Sequence, residues 1–171
     1  MSEQGPFDAQ RALRNVLGRF PTGVTVITAL ALPERKPIGL TVNSFSSVSL
    51  DPPLVLWSLS RRSPNLTQFP VGRGHVIHFL AEHQAQLAMQ FATTRIDKFS
   101  GIDFEIDQDV DAPALDACVA RFFCRTEAIV DGGDHLVIIS RVLRFEQSER
   151  SPLVFYRGEF LNLGEPSAVD A

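Results

Sequence analysis

Residues 119–145 read VARFFCRTEAIVDGGDHLVIISRVLRF. Two runs, Val119 to Val130 and His135 to Phe145, are rich in β-branched and aromatic residues and flank Asp131-Gly132-Gly133-Asp134. Glycine reaches positive φ without steric cost, so the segment reads as a long β-hairpin closed by a tight turn. The rest of the chain repeats the theme. Gly23 to Leu30 alternates β-branched and small residues, Pro33-Glu34-Arg35-Lys36-Pro37 is a turn, and a second extended run follows from Ile38 to Leu50. Leu54 to Leu59 is nearly all apolar, as in a strand buried on both faces, and His75 to Leu80 and Leu153 to Tyr156 read as further strands.

Helices interrupt this pattern in two or three places. Asp8 can cap a helix after Pro6 in which Ala9, Leu13, Val16, Leu17 and Phe20 form one buried stripe, ended by Pro21. A short helix is expected over Pro64 to Phe69, and a longer one from about His83 to Thr93 with Leu87, Ala88 and Phe91 on one side. Thr93 to Pro113, with five aspartates, reads as irregular surface connection, and the tail after Leu163 as frayed. Six or seven strands with few helices give a mainly β fold, a small antiparallel barrel with peripheral helices.

The composition sets limits on function. The 171 residues are 44% apolar and 21% charged, with a formal charge of −4, enough for one domain over 1–171 with its core at about 16–160. The mild negative balance argues against nucleic acid, and no apolar stretch reaches membrane-spanning length. Residues 1–6 lack the features of a secretory leader, which makes the cytoplasm the expected compartment. Cys118 and Cys124, six apart on an expected strand, share a face and read as reduced core thiols. His75 and His78, three apart on a strand, face opposite ways, so no metal site is expected.

Three segments can carry chemistry. In Thr41-Val42-Asn43-Ser44-Phe45-Ser46-Ser47-Val48-Ser49, strand alternation puts Thr41, Asn43, Ser47 and Ser49 on one face and Leu40, Val42, Val48 and Leu50 on the other. A row of neutral hydrogen-bonding groups can grip the polar edge of a flat heterocycle or phosphate oxygens. Ser58-Leu59-Ser60-Arg61-Arg62-Ser63-Pro64-Asn65, at the start of an expected helix, reads as an anion site. His135, directly after the turn, can donate, accept or stack. No phosphate loop, nucleophile elbow or paired catalytic carboxylates occur, which points to a bound cofactor as the source of reactivity.

The ordered set Arg19-Phe20-Pro21-Thr22-Gly23-Val24-Thr25-Val26-Ile27-Thr28, Gly39 to Leu54, Ser60-Arg61-Arg62-Ser63, Phe91 with Asp97-Lys98-Phe99, Gly132-Gly133-Asp134-His135 and Pro152 to Gly158 resembles the short-chain flavin reductases. These are the reductase components of two-component flavin-dependent monooxygenases, with an FMN-binding split-barrel fold. The resemblance implies a homodimer that transfers hydride from NADH or NADPH to FMN or FAD and supplies reduced flavin to an oxygenase. It also implies that Thr41, Val42, Asn43, Ser44, Ser47 and Ser49 line the flavin ring and phosphates, with Ser58, Leu59 and Ser60 beside the ring. Arg61, Arg62 and Ser63 would then lie near phosphate, Phe91 and Lys98 would close the pocket, and His135 would face the nicotinamide. His78 stands where many relatives carry asparagine. The alternative on the same fold is a flavin-binding or flavin-sensing protein without turnover.

Overall fold

The computed structural model of the protein describes residues 6–164, with side chains from residue 9 onward. Its helices are α1 (Pro6–Leu17) and α2 (Ala85–Ala92), the latter entered through one 3-10 turn at Glu82–Gln84. Its strands are β1 (Thr22–Gly23), β2 (Thr25–Ala31), β3 (Lys36–Val42), β4 (Ser46–Leu50), β5 (Pro53–Ser60), β6 (Gly74–Phe79), β7 (Phe104–Asp107), β8 (Ala112–Leu115), β9 (Ala120–Gly132), β10 (His135–Gln147), β11 (Leu153–Tyr156) and β12 (Glu159–Asn162). No helix among the described residues is long and apolar enough to cross a membrane.

Seven strands form one antiparallel sheet in the order β3-β2-β6-β9-β10-β5-β4. Its two edges, β3 and β4, are consecutive in the chain and separated only by Asn43, Ser44 and Phe45. Laid flat, seven strands about 4.8 Å apart would hold the edges about 29 Å from each other. A three-residue link spans at most about 15 Å between its flanking Cα atoms. The sheet therefore curls until its edges approach without pairing, which is the split antiparallel barrel expected from the sequence. Small sheets, β1-β11-β12 and β7-β8, stand beside it.

Inside the barrel, Ile27, Trp57, Leu59, Phe69, Ile77, Cys124 and Ile138 are packed out of water. A second cluster, including Val26, Leu80, Phe91, Leu115, Cys118 and Leu153, joins the barrel to α2 and β11. The long hairpin turns through Gly133 alone at positive φ (76°), the signature of a type II′ turn, while Arg157 (52°) and Gly158 (90°) together make the type I′ turn between β11 and β12.

Several expectations need correction. The run from Ile38 to Leu50 is two strands on opposite sheet edges, and Val48 and Leu50 are exposed. Strand β5 alternates, with Val55, Trp57 and Leu59 buried and the residues between them only partly so. Residues 64–69 form successive turns, closed by Leu66 N–H to Ser63 O and Gln68 N–H to Asn65 O, and no helix. Residues 93–113 hold β7 and the start of β8, whose Ala112 to Leu115 are fully enclosed. Cys118 lies before β9 and packs in a different cluster from Cys124, although both thiols are free and buried. The apolar stripe of α1 is not covered within the chain, since Leu13, Val16, Leu17 and Phe20 are 59% to 74% exposed. Asp8 as a cap and the tail beyond Gly164 lie outside the described side chains.

Two histidines on β6 are wholly enclosed, and their burial pushes both rings down to about 4 from an ordinary 6.5. The Nε2 of His75 meets the Ser140 hydroxyl at 2.9 Å. His78 donates from Nδ1 to Val26 O and accepts at Nε2 from Leu115 N–H, both at 2.9 Å, so it is neutral and ties β2 to β8. An asparagine amide also offers a donor and an acceptor, so an asparagine at position 78 can meet the same two backbone groups. Between pH 6.5 and 4 the unfolded chain binds protons that the folded chain refuses, so stability is full above 6.5 and falls as pH drops to 4. Each ring is expected to remove about 3 kcal/mol across that window. Denaturant midpoints against pH should show a shallower acid slope in His78→Asn; an unchanged slope would contradict the assignment.

Candidate functional site

A cavity of about 580 Å³ opens beside β3 at the end where β5 and β10 meet. Pairing of β10 with β5 sets His135 opposite Ser60 and Val137 opposite Ser58, so the turn of the long hairpin delivers His135 to the rim. The link between β3 and β4 supplies Asn43 and Ser44, and the Ser44 hydroxyl oxygen accepts the Ser58 N–H at 2.9 Å, fastening the link to β5. On the far side, α2 lies over β3, with the Thr41 hydroxyl donating to Ala88 O at 2.7 Å. The Lys98 ammonium donates to Phe91 O (2.6 Å) and Gly39 O (3.0 Å), which folds residues 94–98 over the cavity mouth. Partial burial lowers the Lys98 pKa from its ordinary value.

The structure brings Thr41, Val42, Asn43, Ser44, Ser58, Leu59, Ser60, Arg62, Ser63, Phe91, Lys98 and His135 around this single cavity. Ser47 and Ser49 do not line it. They belong to β4 on the opposite sheet edge, because strand parity does not carry through the break at residues 43–45. Arg61 also lies outside the lining, its guanidinium taken by Asp131 at 2.6 Å and Gly133 O at 2.8 Å. With residues 64–69 in turns, no helix N-terminus contributes to the loop.

Sequence reasoning missed Lys36 and Arg95, which also line the cavity, as do Asn65 at the end of the expected anion loop and Asp97 beside Lys98. Lys36 sits in the segment read as a turn, and residues 95–97 in the segment read as surface connection. Charge was the available signal, since Lys36, Arg62 and Arg95 leave the rim cationic on a net-acidic chain.

Chemically the cavity has two zones. Its floor is neutral and apolar, made by Leu40, Val42, Leu59 and Phe91 with hydroxyl and amide groups interspersed. Asn43, the Ser58 hydroxyl and the Arg62 guanidinium make no side-chain hydrogen bond as donors to described residues, which leaves them available to a ligand. At the rim, His135 Nδ1 lies 2.8 Å from Asp134 Oδ1. An ionised carboxylate only accepts, so Nδ1 carries the proton. This bond holds the Asp134 carboxyl below its ordinary value and turns Nε2 away from the pair. The zones match a flat, neutral ring system bearing a phosphorylated tail: hydrogen bonds along the floor, cations at the mouth.

Comparison with known proteins agrees with this geometry. Residues 17–164 match the family model described as flavin reductase like domain. The chain is 46% identical over 150 residues to the FMN reductase (NADH) SmoA of Agrobacterium fabrum, covering 88% of this chain and 84% of that one. It is 36% identical to the reductase component of the flavin-dependent trigonelline monooxygenase of Acinetobacter baylyi, over 98% of this chain but 53% of the relative, about half its length. Among solved structures, the Streptomyces globisporus NADH:FAD oxidoreductase SgcE6, in complex with NAD and FAD fragments, superposes with a TM-score of 0.85 at 31% identity, covering 98% of this chain and 100% of that one.

Proposed function

The chain belongs to the flavin reductase-like family, and from that premise we propose that its large cavity binds FMN or FAD together with NADH or NADPH and serves hydride transfer between them. The observation that carries the reading is the two-zone cavity, neutral along its floor and cationic at its mouth, on a fold shared with an NADH:FAD oxidoreductase. Bound there, flavin supplies a ring that accepts hydride from reduced nicotinamide.

The protein's part is to hold and orient. Asn43, Ser44 and Ser58 would hold the polar edge of the ring, Leu59 and Phe91 would exclude water from its faces, and Arg62 with Ser60 and Ser63 would take phosphate. His135, fixed by Asp134, would position the nicotinamide from the rim. No side chain is required to move a proton during hydride transfer. Relatives named as reductase components of monooxygenases support a role in supplying reduced flavin to an oxygenase. The uncovered stripe of Leu13, Val16, Leu17 and Phe20 lies next to an apolar groove lined by Phe20, Phe45, Phe79 and Leu153. Apolar surface of this kind supports a homodimer. Two free, buried thiols suit a reducing compartment such as the cytoplasm.

The purified chain, mixed under air with NADH and FMN or FAD, is expected to oxidise many equivalents of NADH per protomer. Consumption of a single equivalent or none would leave a flavin-binding protein without turnover. Arg62→Ala should weaken flavin binding about tenfold, the worth of one charged hydrogen bond. Hydride transfer at saturating flavin should stay within about twofold of the parent. A stopped-flow rate at saturation that fell as far as affinity would remove Arg62 from the phosphate-holding role.

A further inference from the structure

The tip of the long hairpin has little of its own to hold it. Residues 129–134 are all exposed, so no core packing fixes them. Strand β9 leaves its other neighbour at Thr126, whose N–H and C=O meet Arg73 and Gly72, and beyond that point the hairpin is a two-stranded ribbon flanked only by β5. The pairing with β5 ends at His135 opposite Ser60. A lone ribbon of this kind is marginal in water. The Asp134–His135 bond does not anchor the tip, because both partners belong to it and the Asp134 side chain is 93% exposed.

The anchor is Arg61, the first residue after β5. Its N–H donates to Asp134 O at 3.0 Å, its Nε to Gly133 O at 2.8 Å and its Nη2 to Asp131 Oδ2 at 2.6 Å. The other oxygen of the Asp131 carboxylate accepts the Gly133 N–H at 3.1 Å, so one carboxylate grips both the guanidinium and the turn. The rigid fork of arginine suits this double task, one edge on a carbonyl and the other on a carboxylate. Arg61 thus holds Asp131, Gly133 and Asp134, and His135 is the next residue. Arg62 lines the cavity and Arg61 does not, so two adjacent guanidiniums face different tasks.

We infer that Arg61 is a positioning residue, which clamps the turn at residues 131–134 and so holds His135 at the cavity rim in the orientation that meets the nicotinamide. The consequence for NADH rests on the flavin reductase reading, whereas the clamp itself does not. Without the guanidinium the turn samples other arrangements, and a ligand that needs one of them binds more weakly in proportion to its population. A turn in place about a tenth of the time raises the KM for NADH about tenfold. At saturating NADH the ligand draws the turn back, so kcat stays within about twofold of the parent. Flavin affinity is unchanged, because the groups assigned to flavin lie on β3, β5, α2 and the loops beside them, away from this turn.

The test compares Arg61→Ala, Asp131→Ala and the double variant with the parent. Arg61→Ala keeps the backbone bond to Asp134 O, and exposed ion pairs add little to stability, so its melting temperature should stay within about 3 °C of the parent's. Steady-state kinetics should give the tenfold rise in KM for NADH with kcat retained, and fluorescence quenching should give an unchanged flavin affinity. The double variant should cost no more than the worse single one, because both side chains belong to one clamp. In the ligand-free chain, nitrogen-15 relaxation should show the amides of Gly132 to His135 near the rigid order parameter of about 0.85 in the parent and below about 0.6 in Arg61→Ala. Equal order parameters in the two proteins would overturn the clamp. A loss of flavin affinity matching that of Arg62→Ala would make Arg61 a phosphate holder and overturn the proposal, as would an unchanged KM for NADH or additive effects in the double variant. A parent that oxidises no NADH would sink the flavin reductase reading instead, and the relaxation data, which need no ligand, would still decide the clamp.

Discussion

Gly39→Ala is expected to weaken flavin binding on the order of a hundredfold, the equivalent of about 3 kcal/mol of forced repacking. A Cβ on Gly39 would stand 2.4 Å from the Phe91 ring and 3.2 Å from Ile27 O. The ring has little room to retreat: it is fully buried, edge-on to Phe99 at 5.1 Å, and the Lys98 ammonium ties the carbonyls of Phe91 and Gly39 together. Because Gly39 and Phe91 both line the cavity, the strain is relieved by moving its wall. Fluorescence quenching of titrated flavin measures the loss, and circular dichroism should still show a folded β protein. An affinity within a few-fold of the parent would mean that the wall yields elsewhere.

Gly74→Ala should act on the fold and not on the ligand, with a stability loss of about 3 kcal/mol or more. Here the added Cβ would fall 1.8 Å from Val110 O and 2.6 Å from its carbonyl carbon. Those are backbone atoms, and they cannot rotate aside as a side chain can. The expected response is displacement of the segment carrying Val110 and β8, whose Val110, Ala112 and Ala114 pack with Val76 and Phe123 against β6 and β9. A denaturant midpoint equal to the parent's would contradict the close approach of these two backbones.

These glycines show why the fold was more legible than the site. The long hairpin declares itself, since alternation and the turn glycine are local properties of residues 119–145. A closed or sandwiched antiparallel sheet was legible because several such hairpins must bury their apolar faces, and the choice of a split barrel came from the family resemblance. The helical stripe at Leu13, Val16, Leu17 and Phe20 was also legible as a stripe. Its spacing marks an apolar face without saying what lies against it, hence the expectation of burial that its 59% to 74% exposure corrects. At residues 43–45 the chain leaves the sheet through Asn, Ser and Phe, all tolerable in a strand, so nothing local marks the break and parity carried Ser47 and Ser49 into the site. Residues 94–98 reach the cavity through one long-range tie, the Lys98 ammonium on two carbonyls, and such a tie has no periodic signature. Arg61 and Arg62 are adjacent and chemically alike, but Asp131 and the Gly133 carbonyl claim the first.

The link of Asn43, Ser44 and Phe45 joins the two edges of the main sheet and also contributes the floor of the cavity. Barrel circumference and ligand clearance are thus set by one length of chain. An inserted residue there would let the seam drift open and would loosen the floor in the same step, so this segment is closed to the lengthening by which loops ordinarily diversify. Divergence in what the protein accepts is left to residues 60–65 and 94–98, which border the same cavity without closing the barrel. An engineer seeking a new preference should randomise those two borders and keep the link at three residues.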